Sequence, residues 1–378
     1  MPLVLRCVPL LLVAALAAPA LSAQPKASAA PANREAVPFQ QSRPAYPESL
    51  RTYRIRGEVR LAYDIDAEGY VQNLRATYAT HPDFLQPALD VAKGWRFRPA
   101  RKDGKPVPSS REESVFTDVL TPGLEAFEIP AVAAKDLPES LRYDRPPSIR
   151  TLVPVVYPYE QLLANKRGAA QVALIIAPDG LTREIRVRAA SEPAFGLALA
   201  AAMEAWEFEP AVKNGEPSGA ILTRGQEFKV DGEDRLVSDG TRRLLRMLSA
   251  ENPAIVDIAA LDTAPQPLER VPPVFPQKHA GKDGSTEVEF IIDREGAVHL
   301  PRIVSASEPE FGWAAATAVI RWKFAPPLKA GEPVDTRVRV QLDFRGADLA
   351  PPAPAAETPP ASTDPVPPAP AAVPPPPA

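Results

Sequence analysis

Three segments of the 378-residue sequence carry the same landmarks at the same spacing, and this repeat constrains the fold more than any other feature. Each segment has two glycines 12 residues apart, a tryptophan 38 residues after the first glycine, and another glycine 9 residues after that tryptophan. These landmarks are Gly57, Gly69, Trp95 and Gly104; Gly168, Gly180, Trp206 and Gly215; and Gly284, Gly296, Trp322 and Gly331. Because several intervals recur without error, the sequence predicts three tandem copies of one module.

The hydrophobic period changes along each copy. After the first glycine, alternate residues such as Val59, Leu61 and Tyr63 are apolar, which predicts a half-buried strand. A hairpin turn containing Asp66 and Gly69 leads to a second strand, and apolar residues then recur at helical spacing up to the tryptophan. A last strand follows a Gly-x-Pro turn. We therefore predict an α+β fold of three tandem small modules, each a three-stranded antiparallel sheet with one packed helix, in the order strand-strand-helix-strand.

A Trp-x-Phe-x-Pro motif ends the predicted helix in every copy. Because the tryptophan closes an apolar helical stripe, we interpret the motif as core rather than as a ligand platform. The predicted core signature comprises Trp95, Phe97, Pro99, Trp206, Phe208, Pro210, Trp322, Phe324 and Pro326. In the last strands of the first two copies, Phe116 and Phe228 are the expected apolar anchors.

The two ends of the chain differ in composition from the modules. A short apolar run follows Arg6, and small residues follow that run. Since the run is shorter than the roughly 20 residues that span a bilayer, we interpret residues 1–23 as a cleaved signal peptide, with an uncleaved anchor as the alternative. The predicted organisation is modules at 40–118, 151–231 and 269–346, linkers at 119–150 and 232–268, and a Pro/Ala-rich disordered tail at 347–378. The second linker holds a predicted helix from Thr241 to Leu248.

Several function classes are disfavoured by composition. The single cysteine, Cys7, lies in the predicted signal peptide, so the mature chain would lack a thiol for disulfides, thiolate metal sites or nucleophilic catalysis. A net charge of -4 argues against a nucleic-acid partner. His81, His279 and His299 occupy unrelated module positions, and we interpret them as surface residues. We expect no catalytic residues, no metal site and no cofactor, and hence no enzyme.

The landmarks resemble those of the TonB C-terminal domain family. The resemblance rests on the Tyr46-Pro47 start, the Gly-x-Val strand at Gly57, the Asp-x-x-Gly hairpin at Asp66 and the Trp-x-Phe-x-Pro-Ala motif at Trp95, and it extends over all three copies. It implies a domain of the Gram-negative periplasm. It also implies a protein or peptide partner, with outer-membrane receptors as the leading candidates, whose short extended segment is added to the sheet as a strand.

The resemblance also implies where such a partner would bind. The candidate peptide-binding edge comprises Gln40, Gln41, Val115, Phe116, Phe228, Val340, Leu342 and Phe344. Two alternatives stay open. One is a membrane-anchored TonB-type energy transducer, associated with the inner membrane through an uncleaved N-terminus. The other is a self-associating structural protein of the cell envelope.

Overall fold

The computed structural model describes residues 33–118, 127–230, 236–249 and 254–346. The predicted signal peptide and the predicted Pro/Ala-rich tail lie outside the described residues. The α+β fold is confirmed: each copy contains a small antiparallel sheet with one helix on one face. None of the helices in the described ranges has the length and apolar character needed to cross a bilayer.

The main strands and the main helix follow one order in all copies. The first module comprises β1 (Val37–Gln40), β2 (Gly57–Ile65), β3 (Val71–Ala79), α1 (Leu85–Lys93), β4 (Arg96–Arg98), β5 (Ala100–Lys102), β6 (Lys105–Val107) and β7 (Ser109–Thr117). The second comprises β8 (Ser148–Thr151), α2 (Tyr159–Leu163), β9 (Gly168–Ile176), β10 (Thr182–Ala190), α3 (Pro193–Glu204), β11 (Glu207–Glu209), β12 (Ala211–Lys213), β13 (Glu216–Ser218) and β14 (Ala220–Phe228).

A linker helix and a short strand precede the third module: α4 (Asp239–Leu248) and β15 (Ile255–Asp257). The third module comprises β16 (Pro267–Glu269), β17 (Gly284–Ile292), β18 (Val298–Ala306), α5 (Pro309–Val319), β19 (Lys323–Phe324), β20 (Leu328–Lys329), β21 (Glu332–Pro333) and β22 (Asp335–Phe344). Short 3₁₀ helices lie at Glu48–Tyr53, Pro82–Phe84, Glu139–Leu141, Ile258–Ala260 and Gln277–His279.

The main sheets share one topology. Their strand orders are β3-β2-β7, β10-β9-β14 and β15-β22-β17-β18, so the first strand of each hairpin is central and the last strand of each module lies beside it. The first two sheets have three antiparallel strands, as predicted. The third gains a fourth strand, because β15 from the linker pairs in parallel with the start of β22.

A second pairing, which the sequence pattern did not reveal, fixes the segment before each main sheet. β1 pairs with β4, β8 with β11, and β16 with β19, all antiparallel. The tryptophan of each copy secures the same segment, because its indole N–H donates to a carbonyl of it. The acceptors are the carbonyl oxygens of Ser42 at 3.1 Å, Val153 at 2.9 Å and Val271 at 2.7 Å. Each indole is thus buried with its one polar group satisfied.

Tight contacts explain why the paired glycines keep their spacing. Gly180 has a φ of 82°, and a Cβ there would lie 2.1 Å from the carbonyl oxygen of Phe208. A Cβ at Gly168 would lie 2.2 Å from the ring of Phe195 on the helix. Both contacts recur in the other copies. One glycine therefore joins the hairpin to the Trp-x-Phe motif, and the other lets the helical phenylalanine lie against the central strand.

The second strand of every hairpin contains a bulge. Asn73, Glu184 and Leu300 each lie four residues after the hairpin glycine, and their φ angles are 50°, 48° and 53°. The register of each strand pair shifts near these residues. Such angles favour asparagine or glycine over glutamate and leucine, so the second and third copies hold a bulge that their sequences do not favour.

The three modules contact one another. Helices α3 and α5 lie side by side, which joins the second module to the third. Trp206 of the second module forms edge-to-face ring contacts with Tyr53 at 6.2 Å and Phe127 at 5.8 Å. These contacts join the second module to the first module and to the linker that follows the first module. One hydrophobic cluster extends across these junctions.

The interpretation of Phe116 as an apolar anchor of the last strand is wrong. Phe228 and Phe344 pair with Gly168 and Gly284, but the residue that pairs with Gly57 is Thr117, so Phe116 is one residue out of register with them. Because side chains alternate along a strand, Phe116 lies on the opposite face and is 44% exposed.

His279 and His299 are also not surface residues. They are only 5% and 7% exposed. Each pairs with a carboxylate: His279 with Glu310 at 3.1 Å, and His299 with Asp293 at 2.8 Å. These partners satisfy one nitrogen of each ring and so offset part of the cost of burying it, although Nδ1 of His279 is buried with no hydrogen-bond partner among the described residues.

Candidate functional site

The outer edges of the three main sheets form the candidate site. β7 pairs with β2 along its whole length, from Ser109 to Thr117, and no second strand pairs with it in the described ranges. β14 is in the same position beside β9, again with no strand on its other side in the part of the chain that the structure describes. Such edges present backbone N–H and C=O groups that another extended chain can pair with.

The first edge brings together part of the predicted set. The Gln41 side-chain amide donates to Glu113 of β7 at 3.0 Å, so the segment before the module lies beside this strand. Gln40 is an exposed residue of β1, where it pairs with Arg96. Val115 is partly buried against the core. Phe116 is exposed, and the Arg56 guanidinium lies 4.8 Å from its ring centre.

The face of the second sheet borders a hollow of about 760 Å³. Residues of all three strands line it, among them Gly225 and Gln226 of the edge strand β14, and Arg54 and Phe127 line it near the first module. A Cβ on Gly225 would meet nothing within 4 Å, so this face of the edge strand is open. A glycine inside a strand is often found where another chain approaches closely. The predicted residue Phe228 instead lies in the core, so it could meet a partner only through its backbone.

Arg224 on β14 is a residue that the sequence analysis overlooked. It is 2% exposed, and the groups in the described residues that shift its pKa by their charge, Arg54 and Tyr46, include no carboxylate. Its guanidinium donates to Gln226 at 3.2 Å and lies 5.1 Å and 5.6 Å from the ring centres of Phe127 and Trp206. Burial, with repulsion from Arg54, lowers the pKa of Arg224 to about 9. An arginine at an inward position of an alternating strand is the signal that could have revealed it.

The third edge is arranged differently. Val340 and Leu342 are partly buried on the core side of β22, and Phe344 is fully within the core. At the start of the strand, Asp335–Arg337 pair with β15, so this part of the edge is already occupied. The free length of the third edge is therefore shorter than that of the other two.

One cluster of potential metal ligands lies away from these edges. Atoms of His279, Glu308 and Glu310 lie within 4.8 Å of one another. One oxygen of Glu310 pairs with Lys278 at 2.5 Å and the other with His279 at 3.1 Å. Since both oxygens already have partners, we interpret the cluster as an ion-pair network that holds the Gln277–His279 turn against α5.

The core signature lies apart from the edges. Trp95, Trp206 and Trp322 and the phenylalanines Phe97, Phe208 and Phe324 are all buried. Pro99 and Pro210 are partly buried, and Pro326 is exposed. The tryptophans hold the segment before each module in place. In the first copy this segment contains Gln41, which contacts Glu113 of the edge strand β7.

A comparison with protein families accounts for all three copies. A sequence model described as the C-terminal region of the Gram-negative bacterial TonB protein matches residues 42–115, 153–230 and 271–345. No curated protein matches the chain significantly. Since the three matches together cover more than half of the sequence, the chain belongs to the family of TonB C-terminal domains.

Proposed function

We propose that this chain is a periplasmic array of binding modules that captures extended peptide segments by strand addition. Family membership identifies the three copies as TonB-like protein-interaction modules of a Gram-negative envelope family. The observation that carries the finer proposal is the pair of nine-residue edge strands, β7 and β14, each with one side unpaired in the described residues. A peptide added there would gain backbone hydrogen bonds along its length.

The leading partner class is the exported N-terminal segment of outer-membrane receptors. Such a segment would need to be extended and free of fixed structure, because ordering it is part of the cost of binding. Exposed Phe116 on the first edge, and the hollow over the face of the second sheet at Gly225, would give side-chain selectivity beyond the backbone pairing. The function proposed is binding, without catalysis.

The test uses the full chain and synthetic peptides of about ten residues from receptor N-termini. A peptide that binds in a titration is then made in two N-methylated forms, one methylated at odd positions and the other at even positions. In an added strand, alternate N–H groups face the edge. One form should bind with at least tenfold lower affinity while the other keeps its affinity. In addition, amide exchange in Ser109–Thr117 or Ala220–Phe228 should slow when the peptide is bound.

Equal loss in both N-methylated forms would contradict strand addition, and binding with no protection of either strand would place the contact elsewhere. A chain that binds no peptide at high micromolar concentration but forms concentration-dependent oligomers in light scattering would instead favour self-association through the same edges. The mature N-terminus, read by mass spectrometry, separates the exported array from an anchored transducer.

A further inference from the structure

We infer that the linker between the second and third modules is a built-in occupant of the start of the third edge, so that within the described residues the first two copies present their last strand open along its whole length and the third does not. This inference rests on the proposed function, because it concerns which edges a strand-adding partner can reach. The occupant is β15, which pairs in parallel with β22 through Ile255–Asp335, Val256–Thr336 and Asp257–Arg337.

Side chains hold this strand on both sides of the pairing. The Thr336 hydroxyl donates to the Val256 carbonyl at 2.9 Å. Further along the linker, the Asp262 carboxylate accepts from the backbone N–H groups of Ala330 and Gly331, each at 2.8 Å. The linker is thus fixed to the third module from β15 to the β20–β21 hairpin, and it crosses the start of the edge on the way.

The linker helix α4 anchors the strand from the other direction. Arg243 donates both terminal nitrogens to the carboxylate of Asp335, each at 2.7 Å, and Asp335 is only 1% exposed. Asp335 also accepts from the backbone N–H of Arg294 at 3.1 Å. Bidentate arginine–carboxylate pairs are among the strongest polar contacts, particularly when the carboxylate is shielded from water. α4 is therefore tied to the first residue of the strand that β15 covers.

The anchor exists only in the third copy. Ile65 pairs with Ser109, Ile176 with Ala220 and Ile292 with Thr336, so the residues that correspond to Asp335 are Pro108 and Gly219. Neither residue has a side-chain oxygen that could accept hydrogen bonds from a guanidinium. In the second copy the N–H of Gly219, just before β14, donates to the Ser140 carbonyl of the preceding linker at 3.1 Å, but no linker strand pairs with β14 in the described ranges.

A tethered strand competes with any free peptide. A short tether gives an effective concentration on the order of millimolar, so a partner present at micromolar concentration would occupy the first and second edges before it displaced β15. The start of the third edge would open only when β15 is displaced, which the anchoring of α4 to Asp335 opposes.

The experiment opens the third edge in the full chain. The opened variant combines Arg243→Ala with Val256→Gly, and the matched control is Arg246→Ala, which removes an exposed arginine from the same helix. Those amides among Asp335–Arg337 that face β15 should exchange at least tenfold faster in the opened variant than in the wild type or the control. Exchange in the central strand β17 should not change, which shows that the module stays folded. Arg243→Ala alone should give an intermediate rate if the double variant disturbs β17.

The probe is a labelled peptide with the sequence of residues 254–261 of this chain. When added to the opened variant, it should restore slow exchange at Asp335–Arg337, whereas a scrambled peptide should not. Equal exchange in the wild type and the opened variant would overturn the inference, because β15 would then not cover the edge. An opened edge that the probe fails to protect would overturn it too. Since the probe reports on the third edge alone, this result is independent of receptor-peptide binding at β7 and β14.

Discussion

Truncation of Trp206 should destabilise the chain more than truncation of its counterpart in the third copy. Both indoles are buried, and both donate to a carbonyl of the segment before their module. Their ring contacts differ. The indole of Trp322 meets Phe290 and Phe324 of its own module. That of Trp206 meets Phe208 of its own module, and Tyr53 and Phe127 from outside it.

The expected magnitude follows from these contacts. Replacing a buried tryptophan by alanine costs about 3–5 kcal/mol, which we assign to Trp322→Ala. Trp206→Ala loses three ring pairs and Trp322→Ala loses two, and one further pair is worth about 0.5–1.5 kcal/mol, so Trp206→Ala should cost about 0.5–1.5 kcal/mol more. Trp206→Phe should recover part of the difference, because a smaller ring still reaches the neighbouring rings but cannot donate to Val153.

The assay is urea unfolding of the full chain, followed by amide exchange in each module separately. Trp206→Ala should speed exchange in the first module as well as in the second, since it removes a contact that joins them. Trp322→Ala should speed amide exchange mainly in the third module. The reasoning is refuted if Trp206→Ala costs no more than Trp322→Ala, or if exchange in the first module is unchanged.

Three further outcomes are expected. Glu184→Asn should raise the stability of the second module by about 0.5–1 kcal/mol in urea unfolding, because asparagine tolerates the positive φ of the bulge; a gain of the same size for Glu184→Ala would contradict this reason. Burial raises the pKa of Glu204 to about 7, so the fold holds its proton more tightly than the unfolded chain does. Stability should therefore fall by at most about 3 kcal/mol as pH rises from about 5 to 8, and the slope of Tm against pH should be smaller in Glu204→Gln. Arg224→Met should leave the free energy of unfolding unchanged or raise it by about 1 kcal/mol, since a buried cation without a carboxylate costs more than its ring contacts return; a loss above about 2 kcal/mol would contradict this.

The module itself could be predicted from the sequence because short-range sterics fix its landmarks. Gly180 cannot carry a side chain next to the Phe208 carbonyl, and Gly168 cannot carry one under the Phe195 ring. Such contacts permit one residue type at one position, so they appear in the sequence as exact spacing in all three copies. The alternation of the central strands and the helical stripe then give the fold class.

Other features depend on contacts that a local pattern does not contain. The pairing of β15 with β22 joins residues about 80 apart, and only three residues take part. His299 is buried because Thr241 of α4 and Asp293 of the hairpin both reach its ring, and the first of these lies in a different part of the chain. Phe116 shows a different limit, since an error of one residue in register moves a side chain to the other face of the sheet.

The outer strands are one place where the three copies differ. The two paired glycines and the tryptophan are the same in each module because each lies in a contact that a substitution would break, and the glycine after the tryptophan is the same because its φ is positive. The outer strands satisfy only the alternation of the sheet, so they are free to differ: an exposed phenylalanine on the first edge, an open glycine on the second, and an aspartate that receives the linker helix on the third. If selection acted on the fold alone, the three edges would vary at random. An anchor that combines Arg243, Asp335 and β15 requires several compatible residues in two separate segments, which favours a distinct role for the third copy.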